Sequence, residues 1–324
     1  MKHWSKTLLA VAAAAFLIAP QARAQDYPSR SLTLVVPFAA AGISDNQSRL
    51  LARKLADILG QPVVVENRPG ASGMIGAEAV AHAKPDGYTM LYGTHGTQAA
   101  NLALFDNVRI DPPKDLRAVH SLFRQSTVLV ANAATPYRSL DDLVQAARQR
   151  PGSVNYASAG SGTQTHLAAA KLQSAAGISM THVPYKGAGP ALSDVLAGNV
   201  EIMFSYPESV SQHVAAGKLR ALAVAGTSRL DAMPTVPTMA EAGYPDAALE
   251  GWSGVFVPAG TPDAVVARLA DAIGQVTRAQ DVVAAMAAIS SFPMGLSDRE
   301  FQRFAEDEVP RWKAVVRQSG ARLE

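Results

Sequence analysis

Short runs of Val, Leu, Ile and Thr alternate along the chain with longer windows in which apolar residues recur every three or four positions. Residues 31–36 read as a strand and are followed by a loop. Next comes a window that places Leu50, Leu51, Leu55, Ile58 and Leu59 on one helical face, and Gly60 stops that helix. Strands are predicted over 63–66 and 88–93, with a short helix over 76–82 between them. A further strand spans 128–132, and a helix over 140–148 turns Leu140, Leu143, Val144 and Ala147 inward before Pro151 and Gly152 break it. The second half repeats the scheme without repeating the sequence. It has strands over 154–157, 181–184, 201–204 and 219–225, helices over 164–176 and 190–196, a strand over 252–257, and terminal helices over 262–277 and 298–317. This alternation predicts an α/β fold of parallel sheets flanked by helices, arranged as two βα modules. With connections near 127–132 and 250–258, the C-terminal helices return to the first module and a cleft is left between two lobes.

Composition agrees with this picture. At about 150 residues per domain, 324 residues suggest two domains, and a hydrophobic fraction of 48% excludes a disordered chain despite only 6% aromatics. The first 24 residues are set aside as a signal peptide. Lys2 and Lys6 precede an apolar run over 7–19 that is short for a bilayer span, and Ala22-Arg23-Ala24 offers a cleavage site before Gln25. Removing the leader takes away three cationic residues and no acid, so the formal charge of +2 becomes about −1. A nearly neutral surface excludes a nucleic-acid footprint. An exported chain without cysteine cannot rely on disulfides, thiol catalysis or Cys-ligated metal.

Three loops each follow a strand and precede a helix: 37–45, 93–97 and 158–166. Such loops sit at the carboxyl edge of the strands, where small residues admit a ligand and helix N-termini offer N–H groups to an anion. None of the three contains a basic side chain, so the site they suggest would not depend on nearby Lys186 or Arg49. Catalytic patterns are missing. Gly160-Ser161-Gly162 has neither the spacing of a nucleophile elbow nor the third glycine of a dinucleotide loop, and no Walker-type motif occurs. No two histidines have zinc-motif spacing, so no metal, cofactor or catalytic residue is expected.

Several strings carry a resemblance. Pro37-Phe38 with Gly42 and Asp45, the run 60–71 containing Glu66-Asn67-Arg68-Pro69-Gly70, and Lys84-Pro85-Asp86-Gly87-Tyr88 are similar to the Bug family of periplasmic solute-binding receptors, the tripartite tricarboxylate transporter receptors. Asn155-Tyr156-Ala157-Ser158, His182-Val183-Pro184-Tyr185-Lys186-Gly187, the run 216–224 and Pro258-Ala259-Gly260-Thr261-Pro262 continue the resemblance in order over the whole mature chain. It implies a two-lobed periplasmic binding protein of type II. Lobe 1 would comprise 25–127 and 251–324, and lobe 2 would comprise 128–250. The lobes would close on a small carboxylate and deliver it to membrane permease subunits. A sensor kinase is an alternative partner, and a secreted hydrolase using Ser161 is the opposing reading. The mature protein would be a periplasmic monomer. By motif position Phe38, Gly42, Ser44, Asp45, Thr94 and His95 would line the ligand in lobe 1, and Ser158, Ala159, Gly160, Gly162, Thr163 and Ser205 in lobe 2. Ser205 stands where the family commonly has Asp, which removes a partner for an ammonium group and favours a di- or tricarboxylate or an aromatic acid.

Overall fold

The computed structural model describes residues 27–40, 42–185 and 187–319. The signal peptide predicted over 1–24 lies outside them, as do residues 25–26, Ala41, Lys186 and residues 320–324.

The first sheet is built from β1 (Leu32–Val36), β2 (Val63–Asn67) and β3 (Thr89–Thr94), joined by helices α1 (Ile43–Leu59) and α2 (Met74–Ala81). Gly60 ends α1 in the left-handed conformation at φ 68°, its N–H returning to the Ala56 carbonyl. After β3 the chain winds a π turn (Gly96–Ala100) into α3 (Asn101–Leu104), and α4 (Pro112–Asp115) then leads to the long strand β4 (Leu116–Ser126). The second sheet follows, with β5 (Val128–Asn132), α5 (Leu140–Gln149), β6 (Asn155–Ser158), α6 (Gln164–Ala176) and β7 (Thr181–Pro184). It is completed by α7 (Ala188–Ala197), β8 (Ile202–Ser205), α8 (Pro207–Ala215) and β9 (Leu219–Val224). A capping box of Ser139 and Asp142 starts α5, supplying partners for amides that a helix start leaves open. The chain then returns to the first sheet with β10 (Glu250–Pro258), α9 (Asp263–Arg278), α10 (Gln280–Ala287), β11 (Ser291–Pro293) and α11 (Asp298–Ser319).

Strand order is β11-β4-β10-β3-β1-β2 in one sheet and β7-β6-β8-β5-β9 in the other. The expectation of parallel sheets holds only in part. β1 pairs in parallel with β2 and β3, and β6 with β7 and β8, but β10 runs antiparallel to β3 and β4, and β5 antiparallel to β8 and β9. The antiparallel members include the strands that arrive from the other lobe. They enter their sheet from the hinge side, against the direction of the βα units.

The connecting segments 128–132 and 250–258 are regular strands, in line with the strands read over 128–132 and 252–257. One crossing is Thr127 between β4 and β5. The return lies beside it, with Ala225 N–H donating to Thr127 O, Leu249 N–H to Ala225 O, and Ser126 Oγ to Glu250 Oε1. These neighbouring strands form the hinge.

Leu34, Val36, Leu51, Leu55, Met90 and Ile273 pack between the first sheet and its helices, while Leu129, Leu143, Tyr156, Leu167 and Phe204 fill the second core. The terminal helix corrects the expectation that the C-terminal helices belong to the first module alone. In α11, Phe301 and Ala305 pack with Trp252 and Phe256, whereas Trp312, Val315 and Val316 enter the core of the second sheet. Full burial of such side chains contributes about 1.5–3 kcal/mol each, so α11 ties the two halves together.

Candidate functional site

A cavity of about 620 Å³ lies between the two sheets, with walls from both. From the first half, Phe38 supplies an apolar wall, and Gly42 and Ser44 bring in the start of α1. Thr94 and His95 follow from the end of β3. From the second half, Ala159, Gly162 and Thr163 bring in the start of α6. These eight positions are the ones that motif reading and tertiary structure place together.

Four other sequence-predicted positions do not line this cavity. Asp45 is buried, and its carboxylate accepts Arg49 Nε at 3.0 Å and Asn67 Nδ2 at 3.0 Å, which pins the first turn of α1 to β2. Arg49 is thereby engaged on that helix and takes no place in the cavity lining. Ser158 is fully buried, and its hydroxyl lies 2.7 Å from His182 Nε2 on the rear of the loop. Gly160 shapes the loop: at φ 131° an added Cβ would stand 3.2 Å from the Tyr185 carbonyl. Ser205 is buried at the end of β8, with no hydrogen-bond partner for its hydroxyl. Position along a motif says which loop a residue belongs to, while the local backbone decides which side of the loop it faces.

The neighbour of Ser205 does what Ser205 does not. Tyr206 lines the cavity and donates to Gln164 Oε1 at 3.0 Å, while Gln164 Nε2 donates to the Gln125 carbonyl at 3.2 Å. Gln164 therefore joins the start of α6 to β4 of the first sheet. Tyr92, Trp252 and Ser253 add lining that sequence reading missed. Tyr92 sits within a predicted strand and Trp252 begins another, and strand periodicity alone does not say which face meets the cavity.

No Asp, Glu, Lys or Arg occurs among the described residues lining the cavity. His95 adds no cation. Burial holds its imidazole well below the ordinary value, at about 4, and the ring stacks on Trp312 with centroids 4.4 Å apart. Its Nδ1 accepts the Trp252 N–H at 3.4 Å, so the neutral ring carries its proton on Nε2. Positive potential comes instead from backbone. Both α1 and α6 begin at the cavity, and no side chain caps either start. Thr163, the N-cap residue of α6, turns its hydroxyl to the Gly160 carbonyl at 2.7 Å and leaves the first-turn amides uncovered. A helix start of this kind favours an anion by about 0.3–1 kcal/mol in exposed settings and up to about 2 kcal/mol where partly buried.

The Ser–His pair present joins Ser158 to His182, but that serine is buried away from the cavity and no carboxylate bonds His182 among the described residues. Among the described residues there is also no cluster of three metal-ligating side chains, and no helix is long and apolar enough to cross a membrane.

Two α/β lobes joined by paired strands around an uncharged cleft define a two-lobed binding protein. The chain belongs to the tripartite tricarboxylate transporter family of receptors, whose family model matches residues 47–321. It is 38% identical over 307 residues to protein BugT of Bordetella pertussis, an alignment covering 94% of each chain. Among solved structures, it is similar to a Rhodopseudomonas palustris protein determined with adipate, at 33% identity and a TM-score of 0.78, covering 92% of this chain and 100% of that one. MatC of the same organism, determined with bound malate, is 33% identical with a TM-score of 0.76, covering 90% and 100%.

Proposed function

We propose that this protein is a periplasmic receptor that captures a small carboxylate between its lobes and delivers it to the membrane permease of a tripartite tricarboxylate transporter. The observation that carries the reading is a cavity with no charged side chain among its described lining residues, into which two uncapped α-helix starts open from opposite lobes. A ligand with a carboxylate at each end matches that arrangement, one end on the amides after Gly42 and the other on those after Thr163, with Phe38 and Trp252 against its apolar middle. Adipate and malate, the ligands of two relatives, are dicarboxylates, which supports this substrate class. No carboxylate occurs among the described residues that line the cavity to meet an ammonium group, which weighs against an amino-acid ligand. The protein is read as acting by binding, since among the described residues of the cavity no hydroxyl is hydrogen-bonded to a histidine or carboxylate.

Lobe 1 is taken as 25–127 with 251–324 and lobe 2 as 128–250. The ligand contacts are Phe38, Gly42, Ser44, Thr94, His95, Ala159, Gly162 and Thr163, joined by Tyr206 and Trp252. A thermal-shift screen of the purified mature protein against mono-, di- and tricarboxylates and aromatic acids tests the class. A true ligand present at 100 times its Kd adds about 2.7 kcal/mol of stability. Stabilisation by amines or neutral sugars in place of carboxylates would refute it.

Closure follows from a divided site, since neither wall alone excludes water. Small-angle scattering should show a smaller radius of gyration with saturating ligand than without, as the lobes swing about Thr127 and Leu249. An unchanged radius would place the ligand in a rigid pocket instead.

A further inference from the structure

The loop that carries Ala159, Gly162 and Thr163 to the cleft also has a rear face. Behind it lies a separate cavity of about 680 Å³, and Ser161 lines both spaces, so the loop is the partition between them. In the rear cavity the rings of His166 and His182 stack 4.0 Å apart with their planes 3° from parallel, and Tyr156 stacks on His182 at 4.8 Å. Each imidazole touches the loop, but on different terms. His182 Nε2 meets the Ser158 hydroxyl, which can donate to a bare ring nitrogen or accept from a protonated one, so this contact survives either state. His166 Nδ1 accepts the Gly162 N–H at 3.1 Å. An imidazolium has no acceptor left, and the Gly162 amide would then face another N–H.

We propose that His166 is a positioning residue for the ligand site: its neutral ring holds the Gly162 amide, and with it the second-lobe wall of the cleft, in binding shape, and a proton arriving through the rear cavity releases that wall. The inference deepens the receptor reading above and rests on it. The titratable groups that face the ring are His182 from β7 and Tyr156 from β6. The remaining polar lining is Ser161, Gln173, Ser174 and, from α11, Gln318 and Ser319, with no carboxylate or cation among the described residues there. No anionic group among these described residues faces the ring to favour an imidazolium. Burial, aided by the neighbouring His182, accordingly lowers the His166 pKa to about 4. Because the value is depressed, the lock is intact at neutral pH and opens only as pH falls toward 4.

Calorimetric titration of adipate into the mature protein and into His166→Ala and His166→Asn, between pH 7.5 and pH 4, tests the assignment. The Ala variant should bind at least about tenfold more weakly at pH 7.5. Asn presents an amide oxygen where Nδ1 accepts and does not titrate. It should bind within about threefold of the parent at pH 7.5 and overtake it near pH 4, a ratio from which protonation of adipate itself cancels. Parent-like affinity in the Ala variant, or parent and Asn variant weakening together with pH, would overturn the proposal. In ligand-free protein labelled with nitrogen-15, the Gly162 amide shift should follow the His166 ring titration. An amide that ignores the ring refutes the lock even if adipate does not bind. A coupled titration without carboxylate binding upholds the lock and refutes the receptor reading instead.

Discussion

Replacing Gly251 with valine is expected to abolish ligand capture. Gly251 lines the cleft on β10, beside the hinge, and a Cβ there would stand 2.3 Å from Gln164 Oε1 and 2.9 Å from His95 Cε1. Gln164 accepts from Tyr206 and donates across to the Gln125 carbonyl, so displacing it moves the start of α6 away from the first lobe. A valine also fills space meant for the ligand. The loss of adipate affinity should exceed about 100-fold, or about 2.7 kcal/mol. Overpacking also lowers stability, by about 1–3 kcal/mol, so the titration is to be read on protein whose circular dichroism is unchanged. Affinity within about tenfold of the parent would show that this side of the cleft is not part of the site.

The largest expected effect on stability falls at Glu308. Its Oε2 accepts the indole N–H of Trp252 at 2.9 Å and that of Trp312 at 2.7 Å, and its Oε1 accepts Arg311 Nη1 at 2.8 Å. One tryptophan packs among Phe256, Phe301 and Phe304, and the other enters the second core, so the carboxylate sits where α11 passes between the lobes. Glu308→Ala leaves two buried indole donors without an acceptor, at about 1–3 kcal/mol each. A loss of about 3 kcal/mol should lower the melting temperature by about 5 °C or more for a chain of this size. Glu308→Gln keeps an oxygen in place and should recover most of that loss. A Glu308→Ala protein melting within about 2 °C of the parent would show that the indoles find other acceptors.

Much of the fold was legible in advance because amphipathic helices and half-buried strands advertise their periods. The helix predicted over 164–176 is α6, and the one predicted over 140–148 is α5 to within a residue. β4 escaped notice for the opposite reason. Covered on both faces between β10 and β11, it buries nearly every position and shows no alternation, and Arg117, His120 and Arg124 interrupt its apolar character. α8 escaped because only Pro207 and Val210 of its nine residues are buried, too few to set up a helical period. The candidate site followed the same rule. The loops were legible from small residues between strand and helix. The facing of Asp45, Ser158 and Ser205 was not, because each is turned by contacts with residues distant in sequence or by its place at a strand end.

By itself, the sequence determined the α/β class, the position of most strands and helices, and which loops lie between a strand and the helix that follows it. Those features depend on local periodicity and on turn chemistry, which operate over a few neighbouring residues. Only the tertiary structure decided that the crossing strands run antiparallel within their sheets and that α11 serves both cores. It also decided that His166 and His182 stack behind the 158–166 loop and that no Asp, Glu, Lys or Arg lines the cleft among the described residues. Such properties depend on which residues far apart in the chain become neighbours. Burial then sets whether an imidazole can carry a proton, and hydrogen bonds to distant residues set which way a hydroxyl or carboxylate points.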